Sequence, residues 1–207
     1  FLGAASLPIY YGINQFIKFN TLLSSVLNSS IMPHFTKRIS KSTREEFNEL
    51  ALKGTEYTSF VLMTISAIFI LFSSYIFTLV SKDYLLNYIL IFNIGMLLYI
   101  LIGSRTFITK LYKCRIDSNK LISKLSLITS ILYPITFITL SSLYGLNGAI
   151  LSPILSHLLI FPVWLYLVFK QTHLKISSYF KLISSNFFKI MIVFTPFYLV
   201  NHFLNKS

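Results

Sequence analysis

The chain has one cysteine in 207 residues. Cys114 therefore has no partner for an intrachain disulfide, a CxxC pair or a cysteine-based zinc site. Acidic residues are nearly as scarce, with 6 Asp and Glu against 18 Lys and Arg. Glycine-rich phosphate loops, GxGxxG and HExxH are all absent, which removes the usual sequence signatures of nucleotide and zinc enzymes. Charge of either sign makes up only 12% of residues, where soluble domains carry about a quarter. What fills the space is apolar: 55% hydrophobic residues, 20 of them Phe, and a mean hydropathy of +0.71. A water-soluble core of this size needs far less, so composition points to an integral membrane protein.

Residue 1 is Phe, and the opening FLGAASLPIYYG has no basic region, so it is a poor signal peptide. The chain reads as a piece of a longer protein that begins partway through.

A spanning helix needs about 20 apolar residues. Six segments qualify: helix A over 7–32, ending at Pro33, then B over 57–80, C over 85–108, D over 125–143, E over 149–169 and F over 187–204. In hydrocarbon the backbone must be satisfied within the segment or in a closed barrel. Barrel strands run about 10 residues, so these longer segments are helices. The expected fold is an all-α, polytopic transmembrane bundle with six spans. No loop is long enough for a soluble catalytic domain.

Lys and Arg alternate between loops. The A–B loop holds Lys37, Arg38, Lys41, Arg44 and Lys53, and the C–D loop Lys110, Lys113, Arg115, Lys120 and Lys124. The E–F region holds Lys170, Lys175, Lys181 and Lys189. The B–C turn has only Lys82, the D–E turn YGLNG has none, and Lys206 follows helix F. By the positive-inside rule the three basic loops are cytoplasmic and both chain ends lie outside. The net charge of +12 is then explained by anionic lipid beside the loops, not by nucleic acid. In the A–B connector, Thr43 and Glu46 have capping-box spacing and open a short amphipathic helix that buries Phe47 and Leu50 before helix B.

Helix A carries the main anomaly. Asn14, Lys18, Thr21, Ser25 and Asn28 recur at spacings of 4, 3, 4 and 3, which places them on one helix face. Lys18 sits roughly 17–22 Å from either end of the helix, farther than its side chain reaches by snorkelling. A charge at that depth costs about 2.5–3.5 kcal/mol on insertion scales unless a cavity or counter-charge receives it. Two plainer readings compete. Residues 1–17 can span alone with 19–32 lying in the interface, or the seam can serve helix packing. No Asp or Glu falls within a helix core: Asp83 and Asp117 are in turns, and Glu45, Glu46, Glu49 and Glu56 belong to the connector. The counter-charge for Lys18 is therefore expected from sequence outside this chain or from an anionic substrate.

Three further polar residues lie within spans. His157, in SPILSH beside Pro153, is either a proton-coupling group or a neutral histidine bonded to a neighbouring helix. Asn93 suits cavity lining or packing. Arg105 is placed near the cytoplasmic end of helix C, where it snorkels or guards a cavity mouth and pairs with phosphate. Pro134, Pro153, Pro162 and Pro196 interrupt helices D, E and F and favour kinks.

The stretch LYGLNGAILSPILSHLLIFPVWLYLVFK, 143–170, resembles a recurring piece of bacterial polysaccharide flippases, in which a tight outer turn joins two helices. Tyr144, Gly145, Leu146, Gly148 and Ala149 match that turn. LLSSVLNSSIMPHFTKRISK, 22–41, is similar to a family helix that ends near a proline before a basic cytoplasmic segment. TKLYKCRIDSNKLISKLSLITSILYPITFITL resembles the linker and helix before the turn. The resemblance is to O-antigen or capsular flippases of the multidrug/oligosaccharidyl-lipid/polysaccharide exporter superfamily. It implies a 12- or 14-helix transporter of two bundles, of which this chain covers much of the second half. The implied activity is exchange of an undecaprenyl-diphosphate-linked oligosaccharide between leaflets of the bacterial inner membrane, with no cofactor and no covalent chemistry. Membrane lipids and the polysaccharide polymerase machinery are the implied partners. In that reading Lys18 attracts the diphosphate, Asn14, Thr21, Ser25 and Asn28 contact sugar hydroxyls, and Asn93, Arg105 and His157 assist. A drug/cation antiporter of the same superfamily predicts intramembrane carboxylates. A membrane-embedded glycan polymerase or acyltransferase predicts catalytic groups clustered near one surface. A purely structural membrane subunit predicts neither.

Overall fold

Thr43 starts the longest of the connectors as its spacing predicts. Its hydroxyl accepts from Glu46 N–H, and the Glu46 carboxylate accepts from Thr43 N–H at 2.8 Å. From that cap helix α2 runs unbroken over Arg44–Leu71, so the expected short amphipathic helix is the first turns of the span itself. Phe47 is buried and Leu50 packs against the core. The computed structural model describes residues 3, 6–39, 42–81, 83–115 and 119–204. Lys41, Lys82, Asp117 and Lys206 lie outside them.

The described residues are almost entirely helical, with no strand among them. Helix α1 spans Ser6–Ile39, α2 is followed by α3 at Ser73–Ser81, and a 3-10 turn at Asp83–Tyr88 leads into α4 at Ile89–Arg115. Helix α5 spans Asn119–Thr172 and α6 spans Ile176–Leu204. Several expected boundaries move. Helix A does not stop at Pro33, which lies inside α1. A proline removes one N–H, but the remaining bonds carry the helix on to the basic Lys37 and Arg38 in its last turn. Helix B is divided at Phe72, whose N–H caps α2 by donating to the carbonyls of Ile68 and Ile70. Pro134, Pro153, Pro162 and Pro196 all sit inside continuous helical stretches.

Among the described residues, four helical segments are long and apolar enough to cross a membrane, over 45–71, 85–113, 120–172 and 176–199. The third is 53 residues long, or roughly 80 Å if straight, against a hydrocarbon core of about 30 Å. It is not straight. Gly145 takes φ 56° and ψ −135°, a left-handed backbone conformation that glycine adopts without a Cβ penalty. The chain reverses there. Gly148 then lies so close to Leu140 that a Cβ would come within 2.0 Å of its carbonyl oxygen. Farther from the turn, Thr136 Oγ1 donates to the Ser152 carbonyl at 3.3 Å. The arms 119–144 and 146–172 therefore form an antiparallel hairpin, as the YGLNG turn predicts.

The buried side chains form two clusters at opposite ends of the bundle. One joins Phe47, Leu111, Tyr112, Ile122, Phe169 and Tyr179, from the segments that adjoin the basic loops. The other joins Ile13, Ile17, Phe77, Phe92, Leu146 and Ile150, around the nearly uncharged turns. The expected separation of basic from uncharged connections is thus built into the packing. Between the clusters, polar side chains tie helices together. Ser24 Oγ and Thr106 Oγ1 lie 2.6 Å apart, Asn28 Nδ2 donates to Thr106 Oγ1 at 2.8 Å, and Asn20 Nδ2 donates to Ser66 Oγ at 3.1 Å. Hydrocarbon gives apolar helices little reason to associate, so such bonds and close packing hold them.

A candidate cationic cavity

Helices α1 and α4 and both arms of α5 line an open-sided cavity of about 690 Å³. Four cations line it: Lys18 from α1, and Arg105, Lys110 and Lys113 from α4. His157 and Trp164 face it from the second arm of α5, and Ser126, Thr129 and Ser130 from the first. No carboxylate lines it among the described residues. At the end away from the basic loops, the hydroxyls of Tyr10 and Tyr133 meet at 3.0 Å and link α1 to the first arm.

The elements explain why these side chains converge. On α1 the buried face carries Ile13, Ile17, Asn20, Ser24 and Asn28. Lys18 is displaced around the helix from that stripe and stays exposed, at the edge where α1 leaves room beside α5. On α4, Arg105, Thr109 and Lys113 recur every fourth residue, and such spacing stacks side chains on one face. Because α4 continues to Arg115, Arg105 lies ten residues, or roughly 15 Å, from the helix end. Its side chain packs inward against aromatic rings, which favours the cavity reading over snorkelling. Its guanidinium sits 5.5 Å from the Trp164 ring centroid and 5.9 Å from that of Phe161, distances at which a cation is attracted to the ring face. Its Nη2 lies 3.2 Å from His157 Nδ1, while Nη1 is buried with no hydrogen-bond partner.

Of the residues singled out from the sequence, the structure brings Lys18, Arg105 and His157 to one cavity. The rest of the seam is distributed differently. Asn14 is buried and its amide donates to the Tyr10 carbonyl at 3.1 Å. Asn28 is fully buried in the network with Ser24, Thr58 and Thr106. Ser25 is exposed, and its carbonyl accepts from Lys110 Nζ at 3.4 Å. The Thr21 side chain lies outside the described residues. Asn93 is half-buried away from the cavity, with its Oδ1 unpartnered. A five-residue face at spacings of 4 and 3 covers about 80° of helix circumference, enough for one edge to face a cavity while the other packs inward. The reading of 19–32 as a separate interfacial helix is overturned, since α1 passes unbroken through Lys18.

Lys110 and Lys113 were legible only as loop cations. The register of Lys113 with Arg105, eight residues on, was the available signal, and it required knowing that α4 extends past residue 108. A smaller cleft of about 520 Å³ lies between Asn28, Met32 and Thr36 of α1 and the same two lysines. It places the ends of α1 and α4 side by side, so the first two basic connections share one end of the bundle. Among the described residues no three His, Cys, Asp or Glu side chains come together to hold a metal.

A cavity with this lining can hold an anion by charge and by hydrogen bonds from lysine, guanidinium and hydroxyl groups. Among the described residues it has no acidic group to bind a cation. No family model, curated protein or solved structure matches the chain.

Proposed function

We propose that the chain is part of a membrane transporter that flips an undecaprenyl-diphosphate-linked oligosaccharide across the bacterial inner membrane by alternating access, for O-antigen or other surface polysaccharide synthesis. The observation that carries this reading is the cavity lined by Lys18, Arg105, Lys110 and Lys113 with no carboxylate among the described residues. A diphosphate supplies the missing negative charge. Hydroxyls of Ser126, Thr129 and Ser130 on the facing wall suit the sugars, a part the sequence had given to Asn14, Thr21, Ser25 and Asn28.

Six crossings are part of this proposal, although α1 is not among the four segments long and apolar enough to span by length and composition. The fold-back at Gly145 makes two crossings of one apolar segment, and α1, with 34 residues, is long enough for another. With α2, α4 and α6 this gives six, one half of a two-bundle transporter. The basic ends lie together and are assigned to the cytoplasm. A cation antiporter would line such a cavity with carboxylates, and the cavity's sign argues against it. The polymerase machinery that consumes the flipped glycan remains the natural partner.

The test uses the full-length gene in a host lacking its own flippase. Lys18→Ala and Lys18→Glu are expected to reduce surface polysaccharide at matched protein levels, and Lys18→Arg to retain it. Normal export by all three variants would remove Lys18 from cargo handling.

A further inference from the structure

Arg105 is paired with a group that can change its charge. A guanidinium donates hydrogen bonds and accepts none. The 3.2 Å contact between Arg105 Nη2 and His157 Nδ1 therefore makes Nδ1 the acceptor. In this arrangement Nδ1 carries no proton, and the imidazole is neutral with its proton on Nε2. One arm of the guanidinium is thus occupied by the histidine. The other, Nη1, is buried without a partner.

We propose that His157 positions Arg105 and that protonation of His157 strengthens the cavity's hold on an anionic cargo. The inference rests on the reading of this cavity as a site for a diphosphate-bearing substrate. A proton arriving from solvent at Nδ1 takes the lone pair that Nη2 had used. The Arg105–His157 bond breaks, Nη2 becomes available, and Nδ1–H becomes a donor itself. Two neighbouring cations then repel each other unless an anion bridges them. A diphosphate has enough oxygens to accept from both. Proton and anion therefore bind with positive coupling, and each raises the affinity of the other by the same factor.

The surrounding groups do not duplicate this role. Facing the cavity are Lys18 and Tyr10 from α1, Lys110 and Lys113 from α4, and Tyr133 from α5. The phenols of Tyr99 and Tyr179 also lie close to Arg105, and Tyr179 Oη is 2.7 Å from Ser104 Oγ. Among these groups, only His157 accepts from Arg105 at an atom that can itself take a proton.

The test is binding of UDP-N-acetylglucosamine, a soluble diphosphate diester whose charge is constant between mildly acidic and mildly basic pH. It is measured on the full-length protein in lipid nanodiscs. Wild-type affinity is expected to be at least about fivefold higher at mildly acidic than at mildly basic pH, the lower end of the range for coupled sites. His157→Gln is expected to bind with no such slope, because its amide oxygen accepts from Arg105 but gains no proton. A slope unchanged in His157→Gln would overturn the inference. A second measurement needs no variant: wild-type calorimetry in two buffers of different ionisation enthalpy should show proton uptake on binding, and no uptake would also overturn it. Failure of the wild type to bind the diester at either pH would sink the cargo reading itself, a result distinct from binding without proton uptake.

Discussion

If the proposed flippase reading holds, an Arg105→Ala variant of the full-length protein is expected to lose surface polysaccharide export by on the order of a hundredfold at matched protein levels. Truncating one partner of a buried, charge-assisted contact costs about 2–5 kcal/mol, and every 1.4 kcal/mol is tenfold. The change removes the cation held against Trp164 and Phe161 and leaves His157 Nδ1 without its donor. The remaining cations, Lys18, Lys110 and Lys113, attract an anion as point charges. Guanidinium alone offers a planar fork matched to two phosphate oxygens. Arg105→Lys is therefore expected to recover only about a tenth of the lost export, since it restores charge without the fork. Full recovery by Lys would mean that Arg105 supplies charge alone. Unchanged export in Arg105→Ala would remove it from the transport path.

Gly148→Ala is expected to destabilise the protein by about 3 kcal/mol, the upper end for overpacking. In a thermal melt in detergent this is a fall of about 10 °C. The added Cβ needs the space within 2.0 Å of the Leu140 carbonyl oxygen. The obstacle is backbone, so no side-chain rotation relieves it, and the two arms of α5 must part. Parting them strains the Thr136–Ser152 bond and re-aims His157 and Trp164 away from α4. Gly12→Ala is the matched control, because nothing lies within 4 Å of its Cβ position. Equal melting of the two variants would contradict the hairpin packing.

Sequence pattern reached far into this fold. The helical class, the tight turn at YGLNG and the cap at Thr43 and Glu46 were legible, because each is set by local chemistry. Long apolar runs need helices, a reversal needs glycine, and a free helix start needs a hydroxyl and a carboxylate. Helix ends were less legible. Pro33 reads as a stop, yet one missing N–H does not end a helix whose other bonds persist. Phe72 carries no breaker signal at all. The site divided in the same way. Lys18 was conspicuous because a lysine is costly at depth, and Arg105 and His157 were visible for the same reason. Their meeting was not visible, since it depends on how α4 packs against the second arm of α5. Asn20, Ser24 and Thr106 were missed because small polar residues on a membrane helix look alike whether they face a cavity, lipid or a neighbour. Asn14 and Asn28 shared a face with Lys18, and the packing buried both while leaving Lys18 exposed.

We propose that the cavity selects an anionic, lipid-linked head group. This selectivity is tested most directly by reconstituting the full-length protein in vesicles and following two substrates. One is a prenyl-diphosphate-linked oligosaccharide, and the other is a cationic drug. The expected result is translocation of the diphosphate-linked glycan, abolished in Arg105→Ala, with no movement of the cation. Movement of the cation without the glycan would contradict the account.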